Sequence, residues 1–181
     1  MKKYLHYTSR AALAAIVSTG LSLSVTANAA DEKMESKTES KMSANDKKFV
    51  KKAYKGGLTE VAEAKVAKEK AKNDATKEIA ERMITDHGKA NDQLMEIAKE
   101  ENMDLSKVQS KKMPAMSDDN FDKDYLMELK KDHEKDIALF EKEANDSGAK
   151  EDSDVVKFAK ATLPTLKEHL QMVNEAIEKM K

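Results

Sequence analysis

Residues 119–145, DNFDKDYLMELKKDHEKDIALFEKEAN, decide the fold. Their apolar residues Phe121, Tyr125, Leu126, Leu129, Ile137, Phe140 and Ala144 recur at spacings of three and four. That rhythm places them on one stripe of an α-helix, because 3.6 residues complete a turn; a strand would need strict alternation. The other faces carry Lys, Asp and Glu, as a half-buried helix requires. Asn145-Asp146-Ser147-Gly148 then stops the helix. One core position on the stripe, midway between Leu129 and Ile137, is His133.

Three more segments carry the same period. The first is predicted from about Asp46 to Lys72, with Asn45 or Asp46 as its cap and Phe49, Val50, Ala53, Val61, Ala64, Ala67 and Ala71 on its stripe. The second follows Asn73-Asp74 and reaches about Glu101, with Ile79, Ala80, Met83, Ala90, Leu94 and Ile97; Asn102 is its stop. The last starts near Asp152 or Ser153 and carries Val155, Ala159, Thr162, Leu166, Val173, Ala176 and Met180. The first and second helices, and the third and fourth, are joined by short turns. Residues 103–118 form the longest connection, about 16 residues, enough to run the length of a bundle. The expected fold is therefore all-α: a ferritin-like four-helix bundle over residues 45–181 with one long crossover. A simple up-down-up-down bundle is the alternative.

Composition agrees. Among 181 residues there are only 5 Gly and 2 Pro, too few for the frequent turns of a β-sandwich or barrel. The absence of Cys excludes a disulfide framework, thiolate metal sites and cysteine nucleophiles. With 33 Lys and Arg against 34 Asp and Glu, there is no global charge to attract nucleic acid.

Residues 1–29 read as a secretory signal. Lys2, Lys3 and Arg10 make a positive start, Ala11 to Val25 is mostly apolar, and Ala27-Asn28-Ala29 offers a peptidase site, with cleavage after Ala29. The apolar run of about 15 residues is short of the roughly 20 that span a bilayer, and no second run is longer. A periplasmic or secreted protein with no stable membrane span is expected. Removal of this segment leaves 30 basic residues against 34 acidic ones, a net charge of −4, with His87, His133 and His169 as the remaining histidines. Residues 30–44 are charged and Ser/Thr-rich and read as a disordered linker. Met34 and Met42 within it are soft-metal donors in principle.

The chemistry gathers in one layer. In heptad register the first helix places Glu60 on its core seam, the second His87, the third His133 and the fourth His169. In an antiparallel pair, residues equally far from the turn lie level. Glu60 and His87 are so placed about Asn73-Asp74, and His133 and His169 about Glu151. Helix irregularities, Gly56-Gly57, Gly88 and Pro164, fall near the same level, and such breaches gather at functional sites. One carboxylate and three imidazoles could bind a single transition-metal ion: zinc, iron, manganese or copper. They could equally form a buried hydrogen-bond network that fixes helix register. Asp86, Asp132 and Glu168 each precede a histidine by one residue and point about 100° away, so they are neighbours or surface groups rather than ligands.

A dinuclear carboxylate centre is disfavoured, because the residues three before the histidines are Ile84, Lys130 and Leu166 rather than Glu. Glu63 and Asp136 could add oxygens only if the topology brings them together. Met103, Met113 and Met116 in the long connection could bind copper or simply pack. There is no phosphate loop and no nucleophile elbow, so enzyme chemistry has little support in the sequence.

Four stretches, FVKKAYKGGLTEVAEAKVA, MITDHGKANDQL, FDKDYLMELKKDHEKDIALFEKEA and ATLPTLKEHL, resemble the ferritin-like domain-of-unknown-function 4142 family, often labelled a predicted outer-membrane protein. The resemblance covers about residues 46–176. It implies a secreted ferritin-like bundle whose hallmark positions include Glu60, His87, His133 and His169, and it supplies no activity. Two functional expectations follow: a periplasmic bundle that holds a metal ion in this layer, or a non-enzymatic envelope or stress-related interaction module in which the layer is structural.

Overall fold

The computed structural model describes residues 42–146 and 153–180. The proposed signal peptide, the linker up to residue 41 with Met34, and the turn between the last two helices lie outside the described residues. Four helices account for the described architecture: α1 (Ala44–Lys70), α2 (Asp74–Glu100), α3 (Phe121–Ala144) and α4 (Asp154–Glu178). None of them is long and apolar enough to cross a membrane.

The caps explain where the helices begin and end. At the start of α1 the Ser43 hydroxyl accepts from the Asp46 amide at 3.1 Å, and the Asp46 carboxylate accepts from the Ser43 amide at 2.9 Å. This reciprocal box satisfies two amides that the first turn leaves without partners. The helix therefore starts two residues before the sequence expectation, at Ser43 rather than Asn45 or Asp46. Met42, read as part of the linker, is buried against the core. At the end of α2, Asn102 adopts φ 54°, and the Met103 amide reaches back to the Ala98 carbonyl at 2.7 Å. This is the left-handed stop that an asparagine tolerates. α4 continues unbroken through Pro164, which lies on an exposed face.

α1 packs on α2 and α3, and α4 packs on α3 and α2. The direction of each helix follows from two apolar clusters. One joins the start of α1 (Phe49, Val50), the end of α2 (Leu94, Ala98), the end of α3 (Phe140) and the start of α4 (Val155, Phe158). The other joins the end of α1 (Ala64, Ala67), the start of α2 (Ile79, Met83), the start of α3 (Phe121, Tyr125) and the end of α4 (Val173, Ala176). Thus α2 ends at one end of the bundle and α3 begins at the other. Residues 101–120 must cross its whole length, so α2 and α3 run parallel and the single long crossover is present. Leu105 is buried in the first cluster, the Lys111 amide donates to Thr59 Oγ1 at 2.9 Å halfway along α1, and Met113 and Met116 pack on the second cluster. Met103 packs with the first cluster. The three methionines of the crossover are therefore divided between two ends and do not form one copper site.

Candidate metal centre

Between the two apolar clusters lies a polar layer. Glu60 on α1, His87 on α2, His133 on α3 and His169 on α4 are all at most 5% exposed. Each occupies a core position because the apolar stripe of its helix passes through it, so the fold buries the side chain whether or not it is apolar. The three imidazole rings form a triangle with centroids 5.3 Å apart along every side. One ring nitrogen from each lies within 4.8 Å of one from each of the others. The four residues singled out in the sequence meet at one level.

The ring nitrogens can be assigned by following their partners. His133 Nδ1 lies 3.1 Å from the Leu129 carbonyl and 3.0 Å from Glu60 Oε1, so it carries hydrogen. His169 Nε2 lies 3.2 Å from Asp86 Oδ2, so it carries hydrogen too. His133 Nε2 and His169 Nδ1 then face each other at 3.2 Å. In neutral rings both would present lone pairs. A cation must settle that contact: a proton on one ring, or a metal ion near both. His87 Nδ1 lies 3.0 Å from Glu60 Oε2, and its Nε2 is buried with no hydrogen-bond partner among the described residues. Both Glu60 oxygens touch imidazoles but lack an aligned hydrogen-bond donor.

Electrostatics divide the roles. Burial would raise the Glu60 carboxyl, but His87 and His133 outweigh it and hold the group down at about 2. Burial alone would lower His133; Glu60 and the Leu129 carbonyl reverse this and raise it. Burial lowers His87 despite Glu60. It also brings His169 down to about 4, aided by His87 and opposed by Asp86. Without metal, Glu60 is therefore a carboxylate whose charge favours the protonated form of His133, while burial favours neutral rings at His87 and His169.

Around this core stand carboxyls that the sequence placed less firmly. Asp86 reaches across to His169 and also pairs with Arg82, whose guanidinium meets Glu168 at 3.4 Å. The one-residue offset from His87 points it at the neighbouring helix, where a metal-binding histidine usually finds its carboxylate. Asp132 pairs outward with Lys135 at 2.7 Å. Glu63 is buried one turn beyond Glu60 and is pushed up to about 7 by burial, then by the charges of Asp132, Glu128 and Glu60. Asp136 is pushed up to about 8 by burial and then by Glu60. Both lie on the paired helices α1 and α3, yet neither joins the histidine nitrogens. Asn91, one turn after His87, was not anticipated. It is buried and its Oδ1 has no donor among the described residues, and only its spacing of four from His87 hinted at a place in the layer.

The glycines divide by role. A Cβ on Gly57 would lie within 3.0 Å of Asn91 Cγ, and one on Gly56 would lie 3.1 Å from Asp136 Oδ2. Both admit polar side chains at the layer. Gly88 has open space where a side chain would stand, and nothing in the structure explains it.

Fold and layer together define an all-α four-helix bundle with a buried histidine and carboxylate cluster at mid-height. The chain belongs to the family described as domain of unknown function (DUF4142), whose profile matches residues 31–176. No curated protein matches the chain. No solved structure matches it either.

Proposed function

We propose that this is a periplasmic or secreted metal-binding bundle in which His87, His133 and His169 hold one divalent transition-metal ion. The observation that carries this reading is the facing pair His133 Nε2 and His169 Nδ1, 3.2 Å apart with both other ring nitrogens engaged. Two donors on one tetrahedral ion at bond lengths near 2.0–2.1 Å stand roughly 3.3 Å apart, so that spacing suits a shared metal. In this reading Glu60 supplies negative charge behind His87 and His133 rather than serving as a fourth ligand. Asp86 fixes the orientation of His169. Three nitrogens suit zinc, iron, manganese or copper.

The test is metal titration of chelator-treated protein, with elemental analysis. One ion per chain is expected, lost in His133→Gln and His169→Gln. Wild-type protein that takes up no metal, or variants that bind as well as wild type, would refute the reading.

A second reading has its own support. Glu60 stands 3.0 Å from His133 and favours a proton there that balances the buried charge, and in this reading the layer serves only to fix helix register in an envelope or stress-related interaction module. It predicts that His→Gln variants lose stability and keep their cellular role at permissive temperature.

A further inference from the structure

A small, partly open space lies between the polar layer and the first apolar cluster. Gly57, His87, Asn91 and Asp136 line its polar side, and Phe140 and Leu166 help close the other. About 10 Å³ of it is accessible to the centre of a water-sized sphere, room for about one such molecule.

The space depends on Gly57. That glycine sits inside a helix, where it is less favourable than alanine. Any side chain there would drive Asn91 out of place. Asn91 is 6% exposed, and its Oδ1 is buried without a donor among the described residues. His87 Nε2 is equally without a partner among them. A buried amide oxygen left this way destabilises the fold. A cavity of this size lined only by apolar groups stays dry, whereas one with several polar partners takes a water.

We infer that this cavity seats one water-sized hydrogen-bond donor between Asn91 and His87, and that the molecule there occupies the non-protein position of the histidine site. The second half rests on the metal reading above. Structural zinc-type sites are closed by four protein ligands, while three protein ligands leave a position open to solvent or substrate. The ligand class is set by volume and by Asn91 Oδ1: one heavy atom with a hydrogen to donate, which is water. Oxyanions such as phosphate are too large.

Field-dependent water relaxation tests both halves, with water as the probe. In metal-free wild-type protein one long-lived internal water is expected. It should vanish in Asn91→Leu, which keeps the volume and removes the acceptor, and in Gly57→Ala. In copper(II)-loaded protein the proton relaxivity per bound copper should carry an inner-coordination contribution that falls to the outer-sphere level in both variants. Asn91→Leu serves if Gly57→Ala fails to fold. Absence of a long-lived water in the wild type, or relaxivity per copper that is unchanged in the variants, overturns the inference and leaves the metal reading standing. A wild type that binds no copper overturns the metal reading and the coordination half with it. The metal-free comparison then still decides whether Asn91 holds a water.

Discussion

Replacement of Glu60 by Gln tests the electrostatic core of the layer in metal-free protein. The carboxyl is about 2 in the folded chain against an ordinary value of 4.5, a depression caused by His87 and His133 in spite of complete burial. The sign follows from proton binding. Between these two values the unfolded chain holds more protons than the folded one, so ionised Glu60 stabilises the fold above pH 4.5, and that contribution is lost as pH falls towards 2. At 1.36 kcal/mol per unit, the depression corresponds to about 3 kcal/mol at neutral pH. Gln keeps the shape and removes the charge, so Glu60→Gln should cost on the order of 2–4 kcal/mol at pH 7, a drop in Tm of roughly 10 °C for a domain of this size. Urea denaturation of both proteins in chelator at pH 7 and pH 3.5 is the assay. The difference should shrink to about 2 kcal/mol at pH 3.5, where part of the wild-type contribution has gone. A cost below about 1 kcal/mol at pH 7, or one that does not change with pH, would refute the pairing of Glu60 with the imidazoles.

Other outcomes follow from the same structure. Because Glu60 favours a proton on His133 that a metal ion must displace, metal uptake should release protons and tighten as pH rises; calorimetry in buffers of different ionisation enthalpy measures the release, and zero release contradicts the assignment. Glu143 is buried against Asp46 and pushed up to about 7, chiefly by burial and then by Asp46. The folded chain thus holds a proton that the unfolded chain has lost, and the resulting penalty grows from pH 4.5 to about 7 and persists above it. Glu143→Gln should accordingly be more stable than wild type at pH 8, by about 1 kcal/mol once solvent screening is allowed for, and nearly equal at pH 4.5; equal melting curves at pH 8 would count against it. Asn102→Ala should cost about 1 kcal/mol, because alanine tolerates positive φ less well than asparagine, and thermal denaturation reads it directly.

Much of this architecture was legible because its signal is periodic. The stripes of α1 to α4 and the one polar position in each are repeats of three and four residues, and the level of that position follows from distances to turns. The same reading missed whatever depends on adjacency between helices. Asp86 follows no stripe, and its contact with His169 exists only because α2 lies beside α4. Glu63 and Asp136 were conditional on topology, which the pairing of α1 with α3 supplies. Composition misled at Met42 and Ser43: a polar, serine-rich run resembles a linker until the capping box is formed and the methionine finds the core. Ring orientation is a rotamer property that no spacing encodes. Spacing placed Glu60 with the three histidines, but it could not show that the Glu60 oxygens stand against the Nδ1 atoms of two rings.

The pattern of unsatisfied atoms bears on why the layer exists. A buried network that only fixed register would gain most by satisfying every member, since partly satisfied polar layers cost more than apolar ones. Eight buried side-chain polar atoms among the described residues lack a hydrogen-bond partner, and four of them belong to Glu60, His87 and Asn91. Glu60 stands against His87 and His133, and His87 and Asn91 line the space beside Gly57. The apolar ends pack closely, with Phe49, Phe140 and Phe158 edge to face or tilted at 4.9–6.5 Å. A fold able to fill its ends this well could have filled its middle with leucine. Four of the eight unsatisfied atoms gather instead at one level, where the facing nitrogens of two rings stand at a spacing that also suits ligands on a single ion, and this supports the proposed cation over register alone.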